Sequence, residues 1–148
     1  MAASKQHQDL IRAMRDWVKE NSPCNEFNNY YDLEGFSRPF PIISKDKTVI
    51  KSIPDYYGIS HDSKICYIGE AKTEFHQQSI QDSRADRQIK AFFEYFVRCE
   101  KKLFTSTMFL LAIPGSDEDI SRHIVAKAKK ETGYCGPIEY FTKKGVIK

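Results

Sequence analysis

The sequence predicts an α/β domain: a central mixed β-sheet flanked by helices, in the order α-β-β-β-α-β-α-β. Three observations predict it. Apolar residues recur at spacings of three and four in three polar-rich stretches, as on the buried face of amphipathic helices. Runs rich in β-branched and aromatic residues separate those stretches and read as strands. The chain has 148 residues, of which 41% are hydrophobic, which suits one domain spanning residues 1–148 with a full core.

Taken in order, Ser4 caps a first helix that runs to about Asn21, with Leu10, Ile11, Met14, Trp17 and Val18 as its apolar stripe. Residues 21–38, with Ser-Pro, paired Asn, paired Tyr and a Gly, lack a clear period and read as a long loop or a short helical turn. Residues 39–43 form a first strand, confined to an edge by its prolines. Residues 47–60 form a second strand, interrupted at Pro54, and residues 64–73 a third. The strand pattern then fades. A second helix starts near Ser83, where Ser-Arg-Ala-Asp resembles a capping box with Asp86 at its third position. Its buried stripe is Ile89, Phe92, Phe93 and Phe96, with Arg84 and Gln88 sharing the rim at the helix start. Residues 105–113 are a strongly apolar fourth strand. Residues 117–132 follow as a helix capped by Ser116 or Asp117, with Ile120, Ile124, Val125 and Ala128 inward. Gly133 stops it, and residues 138–142 are a last strand.

Composition bounds the function classes. The net charge is only +3, from 23 basic against 20 acidic residues, so charge by itself does not define a nucleic-acid partner. Lysines do cluster at Lys127, Lys129, Lys130, Lys143, Lys144 and Lys148, and serve either phosphate contact or a solvated helix face and tail. The four cysteines (Cys24, Cys66, Cys99, Cys135) form no Cys-x-x-Cys pair and read as free thiols of a reducing compartment, two of them in core elements. The chain start lacks an apolar signal region, and the longest apolar run is residues 108–113. A cytoplasmic protein with no membrane partner is expected.

The residues that carry chemistry lie on one hairpin. Pro54-Asp55 is followed, after a gap of 14 residues, by Glu70-Ala71-Lys72. With the polar turn centred between Asp62 and Ser63, residues whose numbers sum to 125 face one another: Ile59 with Cys66, Tyr57 with Ile68, Asp55 with Glu70. Cross-strand neighbours stand about 5 Å apart at Cβ. Alternation puts Lys72 on the face of Glu70, and Tyr57, Ile59, Cys66 and Ile68 continue that face as core. Two carboxylates this close repel, and a hard divalent cation such as Mg²⁺ or Mn²⁺ resolves the conflict. A metal, a nearby lysine and oxygen donors suit phosphodiester hydrolysis by an activated water. The competing reading makes Asp55 and Glu70 solvated strand-end charges with Lys72 as their salt-bridge partner.

Pro54-Asp55, Glu70-Ala71-Lys72, and Gln88 with the Phe92 and Tyr95 spacing on the next helix resemble the PD-(D/E)xK nuclease superfamily, the restriction-endonuclease-like fold. Ile-Gly-Glu-Ala-Lys-Thr, Arg-Gln-Ile-Lys-Ala-Phe-Phe-Glu-Tyr and Phe-Leu-Leu-Ala-Ile-Pro are similar to small stand-alone predicted nucleases of bacteria and phages. The likeness spans residues 7–140. It implies a metal held by Asp55, Glu70 and the carbonyl of Ala71, with Lys72 as catalytic lysine and Gln88 as accessory residue. The family adds an acid from the first helix. Here His7 and Asp9 sit near that place and Glu20 farther away, and His7 either stands in for the acid or is an exposed helix-start residue. Without a first-helix ligand the site holds a single metal. His61 reads as turn surface, His123 as helix surface, and His76 as able to approach from the loop after Lys72. The resemblance implies a metal-dependent endonuclease acting on DNA, with RNA an open alternative, working as a homodimer or inside a larger complex. The competing class is a catalytically silent nucleic-acid-binding or scaffold subunit of the same fold.

Overall fold

Hydrophobic periodicity builds two packed faces on one sheet. The computed structural model describes residues 5–22, 27–31, 42–43, 51–60, 64–73, 84–99 and 105–147. The expected cap Ser83 and the side chains of Cys24, His61, His76, Arg84 and Cys99 lie outside the described residues.

Helix α1 (Lys5–Asn21) buries Leu10, Ile11, Met14 and Val18, the expected stripe. Trp17 is half-buried and meets Phe141 edge-on at 5.6 Å. Six strands make the main sheet: β1 (Phe27–Tyr31), β4 (Tyr56–Ser60), β5 (Ile65–Ala71), β6 (Ser106–Ala112), β7 (Ile138–Thr142) and β8 (Gly145–Val146), hydrogen-bonded in that order. Strands β5, β6 and β7 are parallel, and the β1–β4, β4–β5 and β7–β8 pairs are antiparallel. The sheet is therefore mixed, as expected. Helices α2 (Arg84–Cys99) and α3 (Glu118–Thr132) make the two crossovers between the parallel strands. Both pack on one face over Cys66, Ile68, Phe109 and Leu111, into which α2 sends Ile89, Phe92, Phe93 and Phe96. Helix α1 covers the other face over Tyr31, Tyr56, Tyr67, Leu110 and Phe141. Among the described residues no helix is long and apolar enough to cross a membrane.

Four readings are corrected or refined. The segment read as loop or helical turn contains β1, whose Phe-Asn-Asn-Tyr-Tyr has no period-two alternation and is held by edge pairing to β4, from Phe27↔Ser60 to Tyr31↔Tyr56. Residues 39–41 lie outside the described residues; the rest of the first strand, β2 (Ile42–Ile43), pairs with β3 (Lys51–Ser52) in a separate two-stranded sheet and not with the main one. Past β7, a Lys143-Lys144 turn returns the chain as β8, a strand the sequence reading did not include. Finally, α3 is preceded by a 3-10 turn, Gly115–Asp117, and Asp117 at its N-cap position makes no side-chain capping bond. Gly133 ends α3 as expected, in the left-handed region with φ 79°, its N–H donating to Lys129 O at 2.9 Å.

One glycine fixes how closely α1 approaches. A Cβ on Gly69 would stand 2.8 Å from Met14 Sδ and 3.1 Å from Tyr56 Cβ. The neighbour of the Glu70 motif is thus glycine because the helix lies directly on the strand there. Gly69→Ala is expected to cost about 1–3 kcal/mol by overpacking. Met14→Ala costs about 2–5 kcal/mol by cavity formation. Together they should cost less than their sum, since the added methyl enters the space that Met14 leaves; a double-mutant cycle in denaturant measures this, and strict additivity would refute the contact.

Candidate active site

The hairpin register holds through four pairs, Tyr56↔Gly69, Tyr57↔Ile68, Gly58↔Tyr67 and Ile59↔Cys66. The summed-number rule is obeyed throughout. It fails at Asp55, which does not pair squarely with Glu70: its N–H donates to Gly69 O at 3.0 Å. Pro54 offers no N–H to continue the ladder, so the chain bends there. The bend turns the Asp55 carboxylate inward, where Oδ2 accepts the Ala71 N–H at 2.8 Å. The consequence expected of the register survives, because the Asp55 and Glu70 carboxyl groups lie close enough to shift each other's titration.

Neither acid is a solvated strand-end charge. Asp55 is 9% and Glu70 3% exposed. Burial pushes Asp55 up, but hydrogen bonds from Glu70, His7 and the Ala71 N–H outweigh it and hold the group below its ordinary value. Burial, and then the Asp55 charge, push Glu70 well above its ordinary value, with Lys72 pulling weakly the other way. The two acids share one proton, and titrate as a pair. Glu70 Oε2 is buried with no hydrogen-bond partner.

Lys72, half-buried, follows Glu70 on the same face, and its backbone N–H donates to Ala112 O of β6 at 3.0 Å. Its ammonium donates to Gln88 Oε1 from the second turn of α2. It makes no ion pair with either carboxylate among the described residues. This removes the salt-bridge alternative. His7, from the first turn of α1, brings Nε2 to 3.4 Å from Asp55 Oδ2. Helical geometry allows only one of His7 and Asp9 to face that way: Asp9 instead pairs with Arg12 at 3.3 Å, and Glu20 lies at the far end of α1. His123 is exposed on α3 as expected.

Asp55, Glu70, Lys72, Gln88 and His7 thus meet at the C-terminal ends of the parallel strands, where open α/β sheets place their ligands. Among the described residues no group of three or more His, Cys, Asp and Glu side chains is arranged to hold a metal ion. The donors on offer are two carboxylates and backbone carbonyls, hard oxygen ligands that suit Mg²⁺ or Mn²⁺ better than a nitrogen- or sulfur-seeking metal. The orphaned Glu70 Oε2 supplies a free lone pair for such a cation. Comparisons with protein-family models, curated proteins and solved structures return no match.

The raised Glu70 carboxyl makes a prediction about stability. With chelator present, the native state keeps the Glu70 proton to a higher pH than the unfolded chain does, so stability is full below the ordinary glutamate value and falls as pH rises through the raised one. The depressed Asp55 acts oppositely, losing stability as pH falls through its own lowered value. Glu70→Gln should therefore flatten the alkaline side of the profile and raise the melting temperature of the chelated protein at pH 8 by roughly 2–4 °C per kcal/mol of relieved repulsion. A thermal-melt series from pH 4 to 9 checks it, and a variant that melts lower than wild type at pH 8 would refute the strained pair.

Proposed function

We propose that this chain is a divalent-metal-dependent nuclease with a restriction-endonuclease-like core, hydrolysing phosphodiester bonds of DNA. One observation carries the reading: a buried pair of touching carboxyl groups stands beside a lysine that does not neutralise it, because Gln88 holds that lysine instead. A structural ion pair would be arranged the other way round. In this reading Asp55, Glu70 and the carbonyl of Ala71 hold Mg²⁺ or Mn²⁺. When bound, the ion supplies Lewis-acid stabilisation of phosphoryl charge and a more acidic water.

The chain's own residues do the rest. The Ala71 N–H and His7 both reach Asp55 Oδ2 and fix the carboxylate in place. Glu70, whose burial beside Asp55 favours its protonated form, would release that proton to make a ligand for a cation held there. Gln88 Oε1 orients the Lys72 ammonium, leaving two of its three donors for a phosphoryl oxygen or the attacking water. That placed charge meets the negative charge that grows on the phosphorus centre during in-line attack. Gln88 acts through Lys72 and is a positioning residue. His7, bonded to Asp55, occupies the first-helix place that the resemblance gives to an acid. Two chains paired as a homodimer, or a partner subunit, would supply substrate choice and the second cut.

The experiment is cleavage of supercoiled and linear DNA, and separately RNA, with Mg²⁺ or Mn²⁺. Lys72→Ala should lower the rate on the order of 10²–10³-fold, the loss expected for one charge-stabilising group. Gln88→Ala should lower it less, about tenfold, and Gln88→Glu, which would pair with the lysine, should not restore it. Cleavage that persists after Lys72→Ala or in chelator would overturn the assignment. Absent cleavage with tight, salt-sensitive binding would instead support the silent binding subunit.

A further inference from the structure

The lysines noted in the sequence fall into two sets. Lys90 and Lys127 lie on α2 and α3 and are engaged: both reach Asp86, at 3.6 and 3.5 Å, and both pair with Glu131. That set ties the two helices together. Lys5, Lys143 and Lys144 are exposed, and among the described residues they make no ion pair. Those three line one cleft of about 630 Å³, between the first turn of α1 and the β7–β8 turn, floored by Ile113 and Thr142. Its single carboxylate, Asp9, is taken by Arg12.

The cleft continues the edge that carries the candidate active site. Lys72 N–H bonds Ala112 O on β6, and Ile113 N–H bonds Phe141 O on β7 at 2.8 Å, so floor and site are ends of adjacent strands. Two interstrand steps from β5 to β7 span roughly 10 Å. At about 3.4 Å of rise per nucleotide on one strand, that is about three nucleotides. The first turn of α1 carries no acidic residue, and its partial positive charge adds to the lysines.

Resting on the nuclease reading, we propose that this cleft is a phosphate-binding subsite, in which Lys5, Lys143 and Lys144 hold the backbone of the DNA strand about three nucleotides from the scissile bond. The three ammonium groups face the phosphates. The contacts read no base, so they set affinity and register rather than sequence. The paired lysines of α2 and α3 contribute nothing to binding.

The test is fluorescence anisotropy of a short labelled DNA duplex with the metal chelated, comparing wild type, Lys143→Ala/Lys144→Ala, the arginine pair Lys143→Arg/Lys144→Arg, and Lys130→Ala as a lysine outside the cleft. The alanine pair should bind on the order of tenfold more weakly, and its slope of log affinity against log salt should be shallower by about 2 between about 50 and 200 mM salt. The arginine pair should bind as wild type does, which separates lost charge from lost folding, and Lys130→Ala should change nothing. With metal present, hydrolysis of bis(p-nitrophenyl) phosphate, too small to reach the cleft, should be equal in wild type and the alanine pair. Unchanged affinity and slope in the alanine pair would overturn the subsite even if wild type cleaves DNA. Loss of binding in the alanine pair of a protein that never cleaves would keep the subsite and sink the nuclease reading instead.

Discussion

The burial of the Asp55 and Glu70 carboxyl groups side by side is the constraint on which the rest of the molecule depends. Removing an unpaired carboxylate from water costs several kcal/mol, and the second acid relieves the first only by keeping its own proton, at the cost of its own ionisation. The hairpin nevertheless forces the two together, because β4 and β5 are locked in register by four ladder pairs and by the core on both faces. Each large apolar side chain buried contributes roughly 1.5–3 kcal/mol. Two or three of the phenylalanines that α2 and β6 bury next to the hairpin are enough to offset the strained pair. Stability is thus supplied by the helices, and spent at one end of the sheet.

Position follows from the same packing. Gly69 lets α1 lie on β5 with Met14 against the backbone, and this close approach carries the first turn of the helix to Asp55. The crossover into α2 brings Gln88 over the opposite face to Lys72. One strand therefore receives a helix on each side, and its last two residues with Lys72 just beyond them present an acid, a peptide group and a base to a shared edge. The outer sheet faces are ordinary core; the chemistry is confined to where the strands stop.

Much of this was legible in the chain. Helical spacing gave the stripe of α1 and the four-residue stripe of α2 without error, since each buried position repeats on one side of a 3.6-residue period. Period-two counting gave the hairpin register, because a slip of one residue would have turned Cys66 and Ile68 out of the core. What counting missed was backbone chemistry at the ends. Pro54 breaks the ladder, and Asp55 reaches Glu70 through a bend, not through a square pair. Strand β1 has no alternation to read, since an edge strand of Asn and Tyr is held by its partner's hydrogen bonds rather than by its own pattern. Strand β8 is two residues long, below any period. The choice between His7 and Asp9 was open for a related reason: two residues on a helix point about 200° apart, so one faces the sheet, but which one depends on how α1 is rotated, and Met14 against Gly69 decides that.

The division of the lysines shows why net charge is a poor guide to partners here. A chain at +3 carries few spare cations, and Asp86 and Glu131 consume two of those on α2 and α3. The cations that remain matter by location rather than by number. Lys72 is kept off the nearest acids by Gln88, and Lys5, Lys143 and Lys144 border an edge whose nearest carboxylate is already paired. The C-terminal ends of the strands therefore carry a buried carboxyl pair at β4 and β5 and, two strands away, exposed ammonium groups that pair with none of the described carboxylates. Charge of both signs is thus gathered on one edge of the sheet, while the helix faces pair theirs internally.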